Sequence, residues 1–403
     1  MLNMGGIPAE KSKKLIGDDA GQGFKDDFHA AHVGNLALGV KHYNILDGFH
    51  NAWSPFLDGL KRQVESESTN QGKEVDMWLW LKQAAAISIC EAIWGVQCPF
   101  SVEPDLWKDM WTFVENYHPA KCLSSHMVPW KGIKERDHVV DAFVRYADKK
   151  GSDVASPLAK AREVCIQSKG MDKQGLAECA VSMAAGQITA AAAAYSALAQ
   201  VLAIPGLADR LREEIRNANL KANDNDSKSK SNIMRAADEC PLLLSCLHES
   251  LRLNSLGATI RSITHSHTLT VKNKAGDGPT YFLKKDRIVW ASGFAVHGSP
   301  TIHKDPRRFI PERFLGLRFP ETQKPELFRS FGGGGNICLG RNVMRDATTA
   351  VLASLLMEFD FLPTDSGEVL SIPHISTFTF EQAVTHPKGN TVIKMRLRGG
   401  DAV

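Results

Sequence analysis

A single cysteine in a glycine-rich loop is the residue best placed to do chemistry in this sequence. The loop begins at Phe331, carries four consecutive glycines and leads through Cys338 to Gly340, after which a helical pattern runs from Arg341 to Glu358. Glycine allows positive φ and the close approach of a flat partner. A thiolate before a helix faces unpaired N–H groups and the positive end of the dipole, which favours its ionised form. Such a sulfur suits an axial ligand of haem iron, although the loop alone is equally consistent with a turn before a buried cysteine.

The loop resembles the haem-binding signature of the cytochrome P-450 family. That signature has a Phe seven residues before the Cys and a Gly two after it, as Phe331, Cys338 and Gly340 stand here. The resemblance implies that Cys338 is the fifth ligand of the iron in haem b. The cofactor site would also include Phe331, Gly332 and Gly340. Asn336 stands where the family usually carries a basic residue, so it offers a haem propionate a hydrogen bond but no charge.

A stretch without charged residues, from Cys179 to Ala208, predicts a long helix over residues 179–204. It is rich in Ala and small polar residues rather than in Leu, Ile and Phe, so we expect it to cross the core of a large domain and not a bilayer. Gly186 in its interior costs about 1 kcal/mol relative to Ala, and the close approach of a planar cofactor would account for it. The Thr189 hydroxyl is placed to bond back to the carbonyl of the preceding turn, four residues earlier.

In the P-450 family the corresponding helix crosses the distal face of the haem with a small-Gly-x-acid-Thr pattern, which Ala185, Gly186 and Thr189 match. The resemblance implies that Ala185 contacts the cofactor and that Gly186 and Thr189 are catalytic residues on the oxygen side. Ile188 occupies the acid position and can neither carry nor reload a proton. Gln187 beside it can orient water but is not an acid. We therefore expect an Asp at position 188 to leave turnover similar or faster.

Glu249 and Arg252 form an i,i+3 pair in a helix that is predicted from about Pro241. Such pairs are usually solvated and contribute only ~0.2–0.5 kcal/mol, but the leucines around this one indicate partial burial. A desolvated Arg needs more than one partner. In the family, a Glu-x-x-Arg helix is joined to the Arg of a Pro-Glu-Arg-Phe segment, which here is residues 311–314. The resemblance therefore implies a structural network of Glu249, Arg252 and Arg313.

Two further residues are assigned to the haem propionates by the resemblance alone. Arg261 follows an Ala-Thr-Ile run, where the family places a propionate-binding Arg. His32 follows Phe28 by four residues, the spacing of an aromatic and a basic residue in an early helix of the family. Without the resemblance, Arg261 reads as a residue at a strand edge and His32 as a solvated surface histidine.

Local signals predict the elements that position these residues. Asp76 is a suitable N-cap for an apolar helix from Met77 to Trp94, and Gly95 ends that helix. β-branched and aromatic residues predict strands over Thr268–Val271 and Tyr281–Trp290, with a turn between them.

Composition excludes several classes of function. The 403 residues carry 48 Lys and Arg against 45 Asp and Glu, and a net charge of +3 is too small to indicate a nucleic-acid partner. The eight cysteines include no CxxC pair, so we predict neither a zinc site nor a dense disulfide framework, and a reducing compartment fits best. The first 24 residues are polar and interrupted by charges, unlike a signal peptide or membrane anchor. We expect a cytoplasmic location or a peripheral association with the endoplasmic reticulum.

The expected fold is mainly α with a small β region: a P-450-like fold that is shortened at its N-terminus. We expect a single haem-thiolate domain over residues 1–403. Its parts would be an irregular segment at 1–25, the long distal-side helix, and the cysteine loop with its proximal helix at 331–358. Short apolar runs broken by prolines predict a β region after residue 359.

The resemblance, which is to the filamentous-fungal branch of the family, implies a monooxygenase acting on an apolar small molecule of secondary metabolism. It would use O2 and electrons from a separate reductase, since the sequence has no GxGxxG fingerprint for a flavin or nicotinamide. Two alternatives stay open. One is a haem-thiolate isomerase, dehydratase or lyase that needs neither O2 nor a reductase, which Ile188 favours. The other is a non-catalytic haem-binding protein or truncated chain, which the short N-terminal portion favours.

Overall fold

Long helices dominate the described part of the chain. The computed structural model describes residues 40–66, 72–103, 105–116, 132–148, 186–218, 232–255, 258–271, 276, 278–334, 337–338, 340–365, 367, 369–373 and 384–399. Of residues 40–44, 116, 133, 147–148, 232 and 258–262 it describes the backbone alone. His32, Ala185 and Asn336 lie outside the described residues, as do segment 1–25 and the first part of the predicted helix 179–204.

The described elements follow one another in a mainly helical order, and the predicted fold class is confirmed. They are α1 (Val40–Ser66), β1 (Lys73–Asp76), α2 (Met77–Trp94), α3 (Pro99–Val102), α4 (Leu106–Asn116), α5 (Ile133–Asp148), α6 (Gly186–Leu202), α7 (Leu207–Asn217), α8 (Ala236–Glu239), α9 (Pro241–Asn254), β2 (Ala258–Ser262), β3 (His267–Thr270), β4 (Thr280–Leu283), β5 (Ile288–Ser292), α10 (Gly293–His297), α11 (Pro320–Gln323), α12 (Arg341–Glu358), β6 (Phe359–Leu362) and β7 (Val392–Leu397).

Helix α2 forms with the predicted bounds and caps. The Asp76 carboxylate accepts a hydrogen bond from the Leu79 N–H at 3.0 Å, which satisfies one of the unpaired donors of the first turn. The helix ends at Gly95, whose φ of +94° is accessible to glycine and costly for other residues. Both ends are therefore determined by residues within one turn of them.

Helix α6 occupies the centre of the helical layer, where it packs against α2, α9 and α12. Nearly all of its side chains are buried, and it carries no charged residue. This agrees with a core helix, and its described part ends two residues before the predicted end at 204. Among the described residues no single helix is long and apolar enough to cross a membrane, whereas α6 and α7, which meet at 112°, reach that length and composition only as a bent pair.

The start of α6 directs Gln187 and Ile188 inward. Gln187 is fully buried, and its amide oxygen accepts a hydrogen bond from the Cys90 thiol of α2 at 3.6 Å. Ile188 is only 2% exposed and belongs to the main hydrophobic core. An Asp at position 188 would place its carboxylate in apolar surroundings, so its effect on turnover stays a prediction to which a cost in stability must be added.

Among the described residues, three small antiparallel sheets accompany the helices. Strands β1, β7 and β6 form one sheet in that order, while β2 pairs with β5 and β3 pairs with β4. The predicted single strand Tyr281–Trp290 is wrong: it is divided into β4 and β5 by a turn in which Asp286 has a φ of +63°. Asp tolerates this left-handed conformation better than most residues, which is why the turn forms there without a glycine.

The Glu249 carboxylate lies at the centre of a buried hydrogen-bond network. Arg252 binds both of its oxygens, from Nε at 2.7 Å and from Nη2 at 2.8 Å. Arg313 binds it from Nε at 2.9 and 3.0 Å, and the Ile310 N–H donates at 3.1 Å. Glu249 and Arg252 are at most 1% exposed, so burial is more complete than the sequence indicated.

The two arginines of this network hold an irregular segment in place. Arg252 donates from Nη1 to the carbonyls of His297 and Pro306, both at 2.7 Å. Arg313 donates from Nη1 to the carbonyl of Lys304 at 2.8 Å. A segment without regular secondary structure thus has its buried carbonyl groups satisfied by side chains.

We expect Glu249→Ala to lower the free energy of unfolding by roughly 3–5 kcal/mol, because it leaves two guanidinium groups without their shared carboxylate. Denaturant unfolding of the purified protein measures the loss. Glu312→Ala is the matched control: its ion pair with Arg210 is about half exposed, so at most ~1 kcal/mol should be lost. Equal losses in the two variants would contradict a stabilising role for the network.

Ile188→Asp should also destabilise the protein by roughly 3–5 kcal/mol, because the new carboxylate has no partner in the core. A carboxyl group whose pKa is raised by burial must take up a proton to remain folded, so the loss should grow as the pH rises. Ile188→Val is the control, with an expected loss of about 0.5–1.5 kcal/mol. An unchanged unfolding midpoint for Ile188→Asp would show that position 188 does not face the core.

Candidate functional site

The cysteine loop is closed by a hydrogen bond between its two ends. The Cys338 N–H donates to the Phe331 carbonyl at 2.9 Å, and Phe331 is 7% exposed with its ring 5.9 Å from that of Phe328. Gly332 and Gly334 have φ values of +73° and +67°, so the loop depends on glycine at both positions. The closed loop holds Cys338 directly before the first turn of α12.

The Cys338 sulfur lies among groups that stabilise negative charge. Surrounding protein atoms desolvate the thiol and raise its pKa above the ordinary value, although the residue as a whole keeps an exposed surface. The Gly340 N–H, the Arg341 cation and the Arg341 N–H lower the pKa, and Glu321 adds to the rise. At this site desolvation outweighs the helix N-terminus, contrary to the expectation from sequence. A cation bound to the sulfur would reverse the balance, because a coordinating thiol is deprotonated.

Gly186 and Thr189 form an open face at the start of α6, where the other side chains are buried. Gly186 is exposed and Thr189 is partly exposed, one turn apart on the same side of the helix. The Thr189 hydroxyl donates to the Gly186 carbonyl at 2.7 Å, so it bonds three residues back, whereas four were predicted. A Cβ atom at Gly186 would meet no atom within 4 Å in the part of the chain that the structure describes.

These features fit a flat cofactor that binds through sulfur. A Cβ atom at Gly340 would also meet no atom of the described residues within 4 Å, so packing within the described part of the chain explains neither Gly340 nor Gly186. The thiol has two N–H donors beside it, which is the second coordination sphere that a thiolate ligand uses. The backbone of Arg261 pairs with Val289 in the β2–β5 sheet, and the direction of its side chain is not described.

Three charged residues beside the loop are not indicated by any motif in the sequence: Glu321, Arg341 and Arg345. Arg345 is completely buried within α12, and the Glu321 side chain is buried against it. The available signal was an Arg at a position where the helical pattern calls for an apolar residue. In most sequences such an Arg reaches solvent along its aliphatic stem, so the pattern alone does not identify a buried ion pair.

Comparison with known proteins gives one family. The cytochrome P-450 family model matches residues 33–393. The chain is 23% identical over 389 residues to the cytochrome P-450 monooxygenase nodJ of Hypoxylon pulicicidum, covering 92% of this chain and 70% of that protein. It is 22% identical over 384 residues to a cytochrome P-450 monooxygenase of Gibberella zeae, covering 91% of this chain and 72% of the relative. Monooxygenase poxD of Penicillium oxalicum is 26% identical over 235 residues, which are 56% of this chain and 45% of that protein.

The matched range contains both parts of the site described above. Gly186 and Thr189 fall within it, as does the loop from Phe331 to Cys338. The family binds haem b through a cysteine thiolate. Cys338 is the described cysteine that lies in a glycine-rich loop before a helix. The chain therefore belongs to the cytochrome P-450 family, the haem-thiolate monooxygenases.

Proposed function

We propose that this monooxygenase inserts an oxygen atom from O2 into an apolar small molecule and receives its electrons from a separate reductase. When haem is bound, thiolate donation favours cleavage of the O–O bond, which is the chemistry that oxygen insertion needs. The observation that carries the proposal is the open face of Gly186 and Thr189 on α6. It supplies one hydroxyl group on a helix that carries no charged residue and whose other side chains are nearly all buried.

Thr189 supplies the polar group that oxygen chemistry requires on that face. Its hydroxyl proton is directed to the Gly186 carbonyl at 2.7 Å, which leaves the oxygen lone pairs free to accept a proton from water. Releasing the carbonyl bond lets the same hydroxyl donate outward. The residue can thus receive a proton on one side and deliver one on the other without becoming charged.

The apolar character of α6 supports an apolar substrate. Its first two turns carry alanines and the buried Gln187 and Ile188 beside Thr189, and the helix has no charged residue that would pair with a charged substrate. A separate reductase is consistent with a sequence that carries no GxGxxG fingerprint. The names of the fungal relatives give the reaction class and leave the substrate open.

A second function is favoured by one observation. Ile188 and Gln187 are both buried, so the first turn of α6 provides no acid and only one hydroxyl for proton delivery. General acid assistance typically contributes about 10²–10⁴-fold in rate. A haem-thiolate isomerase, dehydratase or lyase has no need of protons for O2 cleavage and would tolerate this arrangement.

We expect Thr189→Ala to retain the consumption of electrons from the reductase while diverting most of them to hydrogen peroxide, because the proton-delivering hydroxyl is lost. Thr189→Ser is the matched control and should restore product formation. The measurement is the ratio of product to peroxide per reducing equivalent. Unchanged coupling in Thr189→Ala would remove Thr189 from the proton path.

Labelled oxygen separates the two functions. With a reductase present, the product formed under 18O2 should carry the label, whereas no product should form without an electron donor. Product that forms anaerobically, with no donor, would replace the monooxygenase with the isomerase or lyase.

A further inference from the structure

A buried carboxylate lies beside the cysteine loop and is not explained by the ligation of Cys338. Glu321 belongs to the short helix α11 and is 3% exposed. Its Oε1 atom lies 3.3 Å from Nη1 of Arg345 and 3.7 Å from Nε of Arg341. Its Oε2 atom is buried and has no hydrogen-bond partner among the described residues. A single carboxylate thus faces two arginines of α12.

The two arginines differ in how firmly they are held. Arg345 is completely buried, donates to Asn342 Oδ1 at 2.8 Å, and places its guanidinium 4.4 Å from the centre of the Phe319 ring. Arg341 is partly exposed, and its Nη1 donates to the Cys338 carbonyl at 2.9 Å. Arg345 is therefore fixed, whereas Arg341 is free to move toward solvent.

The spacing of the two arginines makes Glu321 necessary for the position of Arg341. Residues 341 and 345 are one turn apart on the same face of α12, and like charges in that relation repel each other. Glu321 Oε1 is within ion-pair distance of both guanidinium groups, whereas Asp346, whose Oδ1 lies 3.5 Å from Nε of Arg345, is a second acid for Arg345. Without the charge of Glu321, Arg341 would lose this acid, and repulsion by the fixed Arg345 would favour its departure from the Cys338 carbonyl.

We infer that Glu321 is a positioning residue for the Cys338 ligand and that it acts by holding Arg341 against the Cys338 carbonyl. That contact orients the peptide group after Cys338, and the next two N–H groups, of Gly340 and Arg341, are those beside the sulfur. The inference depends on thiolate ligation by Cys338 and is independent of the substrate and of the choice between oxygen insertion and rearrangement.

The reduction potential of the bound haem distinguishes this action from a direct effect of the Glu321 charge. If Glu321 acted directly, Glu321→Gln would remove a nearby negative charge and raise the potential. If it acts through Arg341, the same variant lets a cation leave the ligand, and the potential falls. Hydrogen bonds and charges around the ligand tune the reduction potential of haem iron.

The experiment is a double-mutant cycle on the holoprotein with Glu321→Gln, Arg341→Gln and the combined variant. We expect both single variants to lower the potential and to reduce the fraction of protein that shows the thiolate spectrum of the reduced carbon monoxide complex. The combined variant should fall no further than Arg341→Gln alone. A rise in potential for Glu321→Gln, or additive shifts, would overturn the inference.

Asp360→Asn is the matched control for the loss of a partly buried acid. Asp360 binds Arg398 at 2.6 Å just beyond the other end of α12, about 25 Å from the loop by helical rise. The Asp360→Asn variant should be less stable, and the reduction potential of its haem should be unchanged.

If Glu321→Gln does not yield holoprotein, Glu321→Asp replaces it in the cycle with Arg341→Gln. This variant keeps the negative charge but withdraws it by one methylene. Loss of stability in Glu321 variants with an unchanged potential would show a purely structural role.

Discussion

The ion pairs of Glu249 with Arg252 and Arg313 are the interaction on which the part of the molecule that holds the cysteine loop depends. Through Arg252 it reaches the His297 carbonyl at 2.7 Å. The His297 ring in turn accepts the Arg329 N–H at 2.8 Å, and the Arg329 carbonyl accepts the Gly332 N–H at 2.9 Å. Four contacts therefore connect one buried carboxylate to the glycine loop that presents the cysteine.

The His297 link functions only with a neutral imidazole. Burial, together with the charge of Arg252, lowers the pKa of His297 to about 3. Its Nε2 atom therefore remains an acceptor at neutral pH. The same charge network thus holds the irregular segment and maintains the histidine in the form that supports the loop.

Charged groups and apolar groups are divided between the two sides of the site. The cysteine side is held by buried ion pairs, of which Glu249–Arg252 and Glu321–Arg345 are the most deeply buried. The α6 side carries no charged residue, and beside alanines and the buried Gln187 and Ile188 it has a single open threonine. Buried ion pairs are weak sources of stability but fix geometry, whereas an apolar wall accommodates an apolar substrate. The division is consistent with a rigidly held ligand and a permissive apolar surface.

Features with local causes could be predicted from the sequence. Helix α2 was predicted to the residue because Asp76 and Gly95 determine its ends, and the loop of Cys338 was recognised by its spacing. Features that depend on the direction in which a helix face points could not be predicted from the sequence. Nothing near Ile188 in the chain shows that it faces the core, and nothing near Arg345 shows that Glu321 will lie beside it. The strand break at Asp286 was missed because a left-handed Asp has no distinctive pattern.

The most direct test of this account is the carbon monoxide complex of the reduced holoprotein, measured for Cys338→Ala and for Cys240→Ala. The parent protein and the Cys240 variant, in which a buried thiol of the core is removed, should show the strongly red-shifted Soret band of thiolate ligation. Cys338→Ala should lose it. A red-shifted band that persists in Cys338→Ala would show that another residue binds the iron and would contradict the assignment.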